Sequence, residues 1–233
     1  MAGTQRELYP GAPLRAVAME VYFGGLLDAV ARMGAFQRKH AGALPRLYAP
    51  EREPHTPVLL LGEDRGVAVA SDQVAVITYD YAKGYDELVR WGVPMLDEAL
   101  DTIGVAGELA RVRYRYENLV DTGREGEVDL GSLFRIGLPR GGGAPGPVET
   151  GNLHVAWRQP WPGGVVAVDL AIDEEASDGG DDVLVLGIVA ERQGPIARAG
   201  LAVALAEAHE MARETFEALI TDELRATLRR PRE

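Results

Sequence analysis

The chain has 233 residues, 46% of them hydrophobic and 26% charged, enough for one large domain or two small ones around a sizeable core. Acidic residues outnumber basic ones 36 to 24, for a net charge of −12, which disfavours sequence-independent binding to a phosphate backbone. No cysteine is present, so disulfides, thiolate metal sites and cysteine nucleophiles are excluded.

Residues 1–13 carry no apolar h-region, and no run approaches the roughly 18–20 apolar residues of a membrane span. A soluble cytoplasmic protein is expected. Tyr9-Pro10-Gly11-Ala12-Pro13 forms a turn-rich opening. Over 14–23 the apolar residues Val17, Met19, Val21 and Phe23 alternate, which predicts a strand. Gly24-Gly25 ends it. Leu26, Leu27, Val30, Met33 and Phe36 follow at close to helical spacing, predicting an amphipathic helix over 26–40. Four prolines make 41–57 irregular. Short strands are expected at 58–61, 67–70 and 74–79, arranged as an antiparallel meander. Residues 85–103 carry a broad apolar stripe at helical spacing, with Pro94 expected to kink the helix or start a new turn.

Residues 111–120 organise the rest. Val112, Tyr114, Tyr116, Asn118 and Val120 share one face of a strand; Arg111, Arg113, Arg115, Glu117 and Leu119 share the other. Beyond it, 122–150 is weakly patterned, and the Gly/Pro-rich part from 137 reads as a loop or internal linker. Three strands are expected at 152–158, 164–173 and 183–190, the last apolar on both faces and so interior to the sheet. Gly194-Pro195 should end it. A single helix is expected over 197–229, about 50 Å long if unbroken. Arg225, Arg229 and Arg230 sit where its dipole favours cations. This order predicts an α+β protein with mainly antiparallel sheet, two helices in the N-terminal half and one long C-terminal helix. The expected division is an N-terminal half over 1–136, a linker over 137–150 and a C-terminal half over 151–233. Whether the halves share one sheet is open.

Chemical motifs are scarce. Gly141, Gly143 and Gly146 match G-x-G-x-x-G, but a proline interrupts the motif and a strand follows it, so a tether is the better reading. There is no P-loop, and no nucleophile elbow surrounds Ser71, Ser132 or Ser177. The histidines 40, 55, 154 and 209 are not at metal-ligand spacing; His209-Glu210 is followed by Arg213 where a zinc helix needs histidine. The carboxylates crowded into 173–182 lack the calcium-loop spacing, so a solvated hairpin loop is favoured over a calcium site. Trp157 and Trp161 form either a partner surface or ordinary sheet packing. Arg111, Arg113 and Arg115 either grip a phosphorylated or carboxylate ligand, or pair with Asp169, Asp173 and Glu117 across strands.

The Tyr9–Pro13 opening, the Arg111-Val112…Arg115-Tyr116…Asn118 strand and His209 followed by Phe216 and Ile220-Thr221-Asp222 resemble an uncharacterised, sporadically distributed bacterial family of about this length. The similarity spans nearly the whole chain. Glu117 and Leu119 stand where that family more often has an apolar and a basic residue. The resemblance implies an intact fold and a bacterial source, and supplies no catalytic residue.

The expectation is a non-enzymatic protein acting through a protein partner or by self-association, with no cofactor, metal or membrane. By analogy alone such proteins serve as immunity, antitoxin-like or defence-accessory factors. Arg113, Arg115, Tyr116, Asn118, Trp157, Trp161 and His209 are the candidate partner- or ligand-binding residues. The alternative is a small-molecule pocket between the sheet and the C-terminal helix, lined by Arg115, Tyr116, Asn118 and His209.

Overall fold

The alternating stretch forms β6 (Leu109–Asp121), with Leu109, Val112, Tyr114 and Val120 turned into the core. A computed structural model describes residues 14–26, 28–48, 57–79, 84–121, 127–135, 148–149, 154–172 and 183–229. Before β6 come β1 (Leu14–Tyr22), α1 (Ala29–His40), β2 (Arg46–Tyr48), β3 (Val58–Leu61), β4 (Arg65–Val69), β5 (Gln73–Thr78) and α2 (Gly84–Ile103). After it come β7 (Glu127–Val128), α3 (Leu130–Leu133), β8 (Val148–Glu149), β9 (His154–Trp161), β10 (Gly164–Ile172), β11 (Val183–Ile196), α4 (Leu201–Leu219) and α5 (Asp222–Leu228). The protein is α+β.

Nine strands form one antiparallel sheet in the order β2-β3-β4-β5-β1-β6-β11-β10-β9. Strands from both sides of the 137–150 stretch therefore share a single sheet, joined where β6 pairs with β1 and β11. β11 is interior, as its two apolar faces require. β7 and β8 pair separately. Residues 1–13, 136–147 and the acidic 173–182, with Asp173, lie outside the described residues.

Helices α2 and α4 pack on one face of the sheet. Leu88, Met95, Leu96, Ala99, Leu100 and Ile103 of α2 are buried, as are Leu201, Leu205, Ala208 and Ala212 of α4. They meet a row of side chains that crosses the sheet in register: Leu60, Val67, Val76, Met19, Tyr114, Ala190 and Val166. The backbone of α2 comes close to this row at Gly92, where an added Cβ would collide with Met19 Cε. α2 runs through Pro94 as one helix.

Three local expectations are corrected. Arg46–Tyr48 is an exposed edge strand inside the stretch read as irregular; flanking prolines are compatible with an edge because its outer donors need no partner. β11 continues past Gly194-Pro195 to Ile196, and a register shift between Gln193 and Ile196 accommodates the residue without a donor. The long C-terminal helix ends at Leu219. Ile220 turns extended and bridges to Phe134, and Thr221 caps α5 by accepting from the Leu224 amide at 3.2 Å. Arg225 accordingly binds Glu217 and Asp222, where a single long helix would leave it facing a free C-terminus. Thr221 Oγ1 also donates to the Ser132 carbonyl, tying α5 to α3.

Thr221→Ala should therefore lower the unfolding free energy by about 1–2 kcal/mol, read by urea denaturation, with Thr221→Ser recovering most of it.

Candidate functional site

β6 presents two chemically distinct surfaces because successive side chains point to opposite faces. Toward the helices, His209 of α4 lies among three tyrosines. Its Nδ1 is 2.6 Å from the Tyr116 hydroxyl. Its ring stacks on Tyr85 of α2 at a centroid distance of 3.8 Å and an interplanar angle of 5°, and Tyr114 packs against it at 4.9 Å. His209 is only 4% exposed. Asn118, two residues along the same face from Tyr116, is buried and donates to the Leu186 carbonyl at 3.4 Å. The arrangement is an aromatic plug that locks α2 and α4 onto the sheet. A buried imidazole needs a hydrogen-bonding partner, and Tyr116 supplies one.

The other face carries the arginines. Registers place Glu20 of β1, Arg113 of β6 and Glu191 of β11 on one rung, so opposite charges sit side by side. Arg113 Nε donates to Glu191 Oε2 at 2.6 Å and Nη1 to the Tyr22 hydroxyl at 2.8 Å; Tyr22 in turn donates to Glu20 Oε2 at 2.8 Å. Arg115 lies 3.4 Å from Glu20 Oε1, and Arg111 lies 3.7 Å from Glu191 Oε2. The guanidiniums of Arg111 and Arg113 also sit over the Tyr22 ring, at 4.1 and 4.7 Å from its centroid. The Glu20 and Glu191 side chains are 6% and 12% exposed, so these carboxylates depend on the arginines.

Electrostatics follow from this packing. Burial alone would raise the Glu191 carboxyl, but Arg113, Gln193 and Arg111 outweigh it and hold it below the ordinary carboxylate range. Burial alone would lower Arg113; Glu191, Tyr22 and Glu20 hold it above its usual value. Tyr22 is pushed up to about 12, first by burial and then by the Glu20 carboxylate beside it.

The arginines thus pair across strands, as one of the two expectations had it, but with different carboxylates. Glu117 instead lies 3.6 Å from Arg15, and Asp169 bonds His154 at 3.2 Å. The candidate residues divide between the faces. Tyr116, Asn118 and His209 lie toward the helices, while Arg113 and Arg115 lie on the opposite side. The pocket expected from Arg115, Tyr116, Asn118 and His209 does not assemble, because adjacent strand residues cannot share a face. Trp157 and Trp161 are half-buried on β9 and pack against the core.

Beside the arginines, the face of β6, β11, β10 and β9 turned away from α2 and α4 forms a shallow groove of about 760 Å³. Val185, Gly187, Val189 and Ala167 make its floor; Arg115, Glu117, Arg158 and Asp169 stand around it. Among the described residues, no group of three or more His, Asp or Glu side chains is placed to hold a metal ion. No helix among them is long and apolar enough to cross a membrane.

No protein-family model matches the chain, and no curated protein matches it.

The ionised Tyr22 phenolate is disfavoured in the fold, so its contribution to stability is intact below pH 10 and is lost as pH rises from 10 toward about 12. Tyr22→Phe should remove up to about 2 kcal/mol of that alkaline loss, measured by urea denaturation on both sides of pH 10.

Proposed function

We propose that the protein acts by binding another protein chain, through the face of the sheet over β6, β11, β10 and β9 that is turned away from α2 and α4. The observation that carries this reading is the contrast between the two faces. On the helix side the groups able to do acid–base chemistry, His209 and Tyr116, are consumed in packing. On the other side a floor of Val185, Val189, Ala167 and Gly187 is half-exposed, rimmed by Arg115, Glu117, Arg158 and Asp169. An apolar floor inside a polar rim is the layout of a protein–protein contact. The rim carries both signs of charge, which suits a mixed-charge protein surface and not a polyanion.

Val189 points outward from an interior strand, so Val189→Arg should block the face without disturbing the core. Cross-linking and native co-purification should recover a bound chain with the parent protein and lose it with Val189→Arg at unchanged thermal midpoint. A parent protein that stays single at micromolar concentration, with no chain recovered, contradicts the reading.

A further inference from the structure

The registers set two rows side by side on this face. One row runs Arg115, Val189, Ala167, Arg158 across β6, β11, β10 and β9. The next runs Glu117, Gly187, Asp169, Ala156 across the same strands. The first row carries both cations and the second both anions, about 7 Å apart along the strands. A charge pattern split this way is complementary to its own image. We propose that the chain occupying the face is a second copy of this protein, the two sheets stacking face to face about a two-fold axis. This rests on the proposed function and names its partner.

The pattern selects the operator. An axis perpendicular to the strands, lying between the two rows, brings each row over the other row of the second copy. Arg115 then faces Glu117 of the second copy, and the same pair forms a second time by symmetry. Val189 faces Gly187 of the second copy, a side chain over a gap. Arg158 comes within one strand spacing, about 4.8 Å, of Asp169 of the second copy, which its side chain spans. An axis along the strands would instead lay Arg115 on Arg158 of the second copy and crowd Glu117 toward Asp169, so like charges would meet.

The existing partners leave room for this contact. Asp169 is 58% exposed and its bond to the exposed His154 is weak; Arg115 is 46% exposed and reaches the second copy while staying beside the buried Glu20, and Glu117 lies 3.6 Å from Arg15. Arg158 is exposed and has no ion-pair partner among the described residues. The contact is small: four strands by seven residues outline roughly 450 Å² per copy, below the size of standard stable interfaces and in the range of weak, transient ones. The dimer is therefore reversible and is to be sought at micromolar protein and low salt, since screening weakens it.

Sedimentation equilibrium of the full chain tests this. The parent protein should dimerise, and Asp169→Arg should weaken the dimer by about tenfold or more by setting like charges opposite one another. The exchanged variant Arg158→Asp with Asp169→Arg should restore it. Circular dichroism confirms that each variant is folded; Glu117→Arg repeats the test at the other pair. A dimer indifferent to both single reversals, or a monomer at every concentration, overturns the proposal. If that monomer still binds a different protein in a Val189-dependent way, the interaction role stands without the dimer; if it binds nothing, both fall.

Discussion

The structure depends on the double pairing of β6, with β1 on one side and β11 on the other. Among the described residues, the β6–β11 pairing is where the strands of residues 14–121 meet those of residues 154–196 in the sheet. That seam is strong because both faces of the strand are satisfied at once. Met19, Tyr114 and Ala190 form one rung against the helices, and Glu20, Arg113 and Glu191 form the next rung on the far side. The apolar rung supplies burial. The charged rung keeps its members from being buried alone, since a guanidinium or carboxylate removed from water without its opposite is costly. It also penalises a register slip. A shift of one residue between β6 and either neighbour would turn arginines into the helix layer and tyrosines away from it.

The two rungs divide the molecule's chemistry. Helices α2 and α4 are held down by Tyr85, Tyr114, Tyr116 and His209, whose rings fill the space between sheet and helices. A histidine packed at 4% exposure serves better as mortar than as a group meeting a ligand. The face turned away from α2 and α4 has the opposite character. Its floor is made of small residues, so backbone lies near the surface and a flat partner can approach closely. Its charges stand at the edges, where they select a partner and an orientation more than they add affinity. A chain with a net charge of −12 that nevertheless places Arg115 and Arg158 in one row has concentrated much of its local pattern there.

Much of the fold was legible in the sequence, because periodicity reports which face of an element is buried. The strand at 111–120, the apolar stripes of α2 and α4 and the interior position of β11 all follow from period two or period 3.6. What escaped was set by partners distant in sequence. The alternation of 14–23 put Glu20 on the polar face, but only the register of β1 against β6 could set it beside Arg113; Asp169 and Glu117 were the wrong carboxylates for that reason. The end of α4 is marked in the sequence. Thr221 followed by Asp222 and Glu223 is a helix-start signature, yet the apolar spacing on either side made the two helices look like one. The groove could not be inferred from local pattern, because it exists only where β9 is brought around to lie beside β10, and β10 beside β11.

The central claim is that β6 welds both parts of the chain into one cooperative sheet with a packed side and an open side. Native-state hydrogen exchange tests it most directly. The account predicts that amides of β1, β6 and β11 share the highest protection and exchange only through global unfolding. Exchange of β9 to β11 and α4 as a separate unit, at a free energy well below that of β1 and β6, would contradict it.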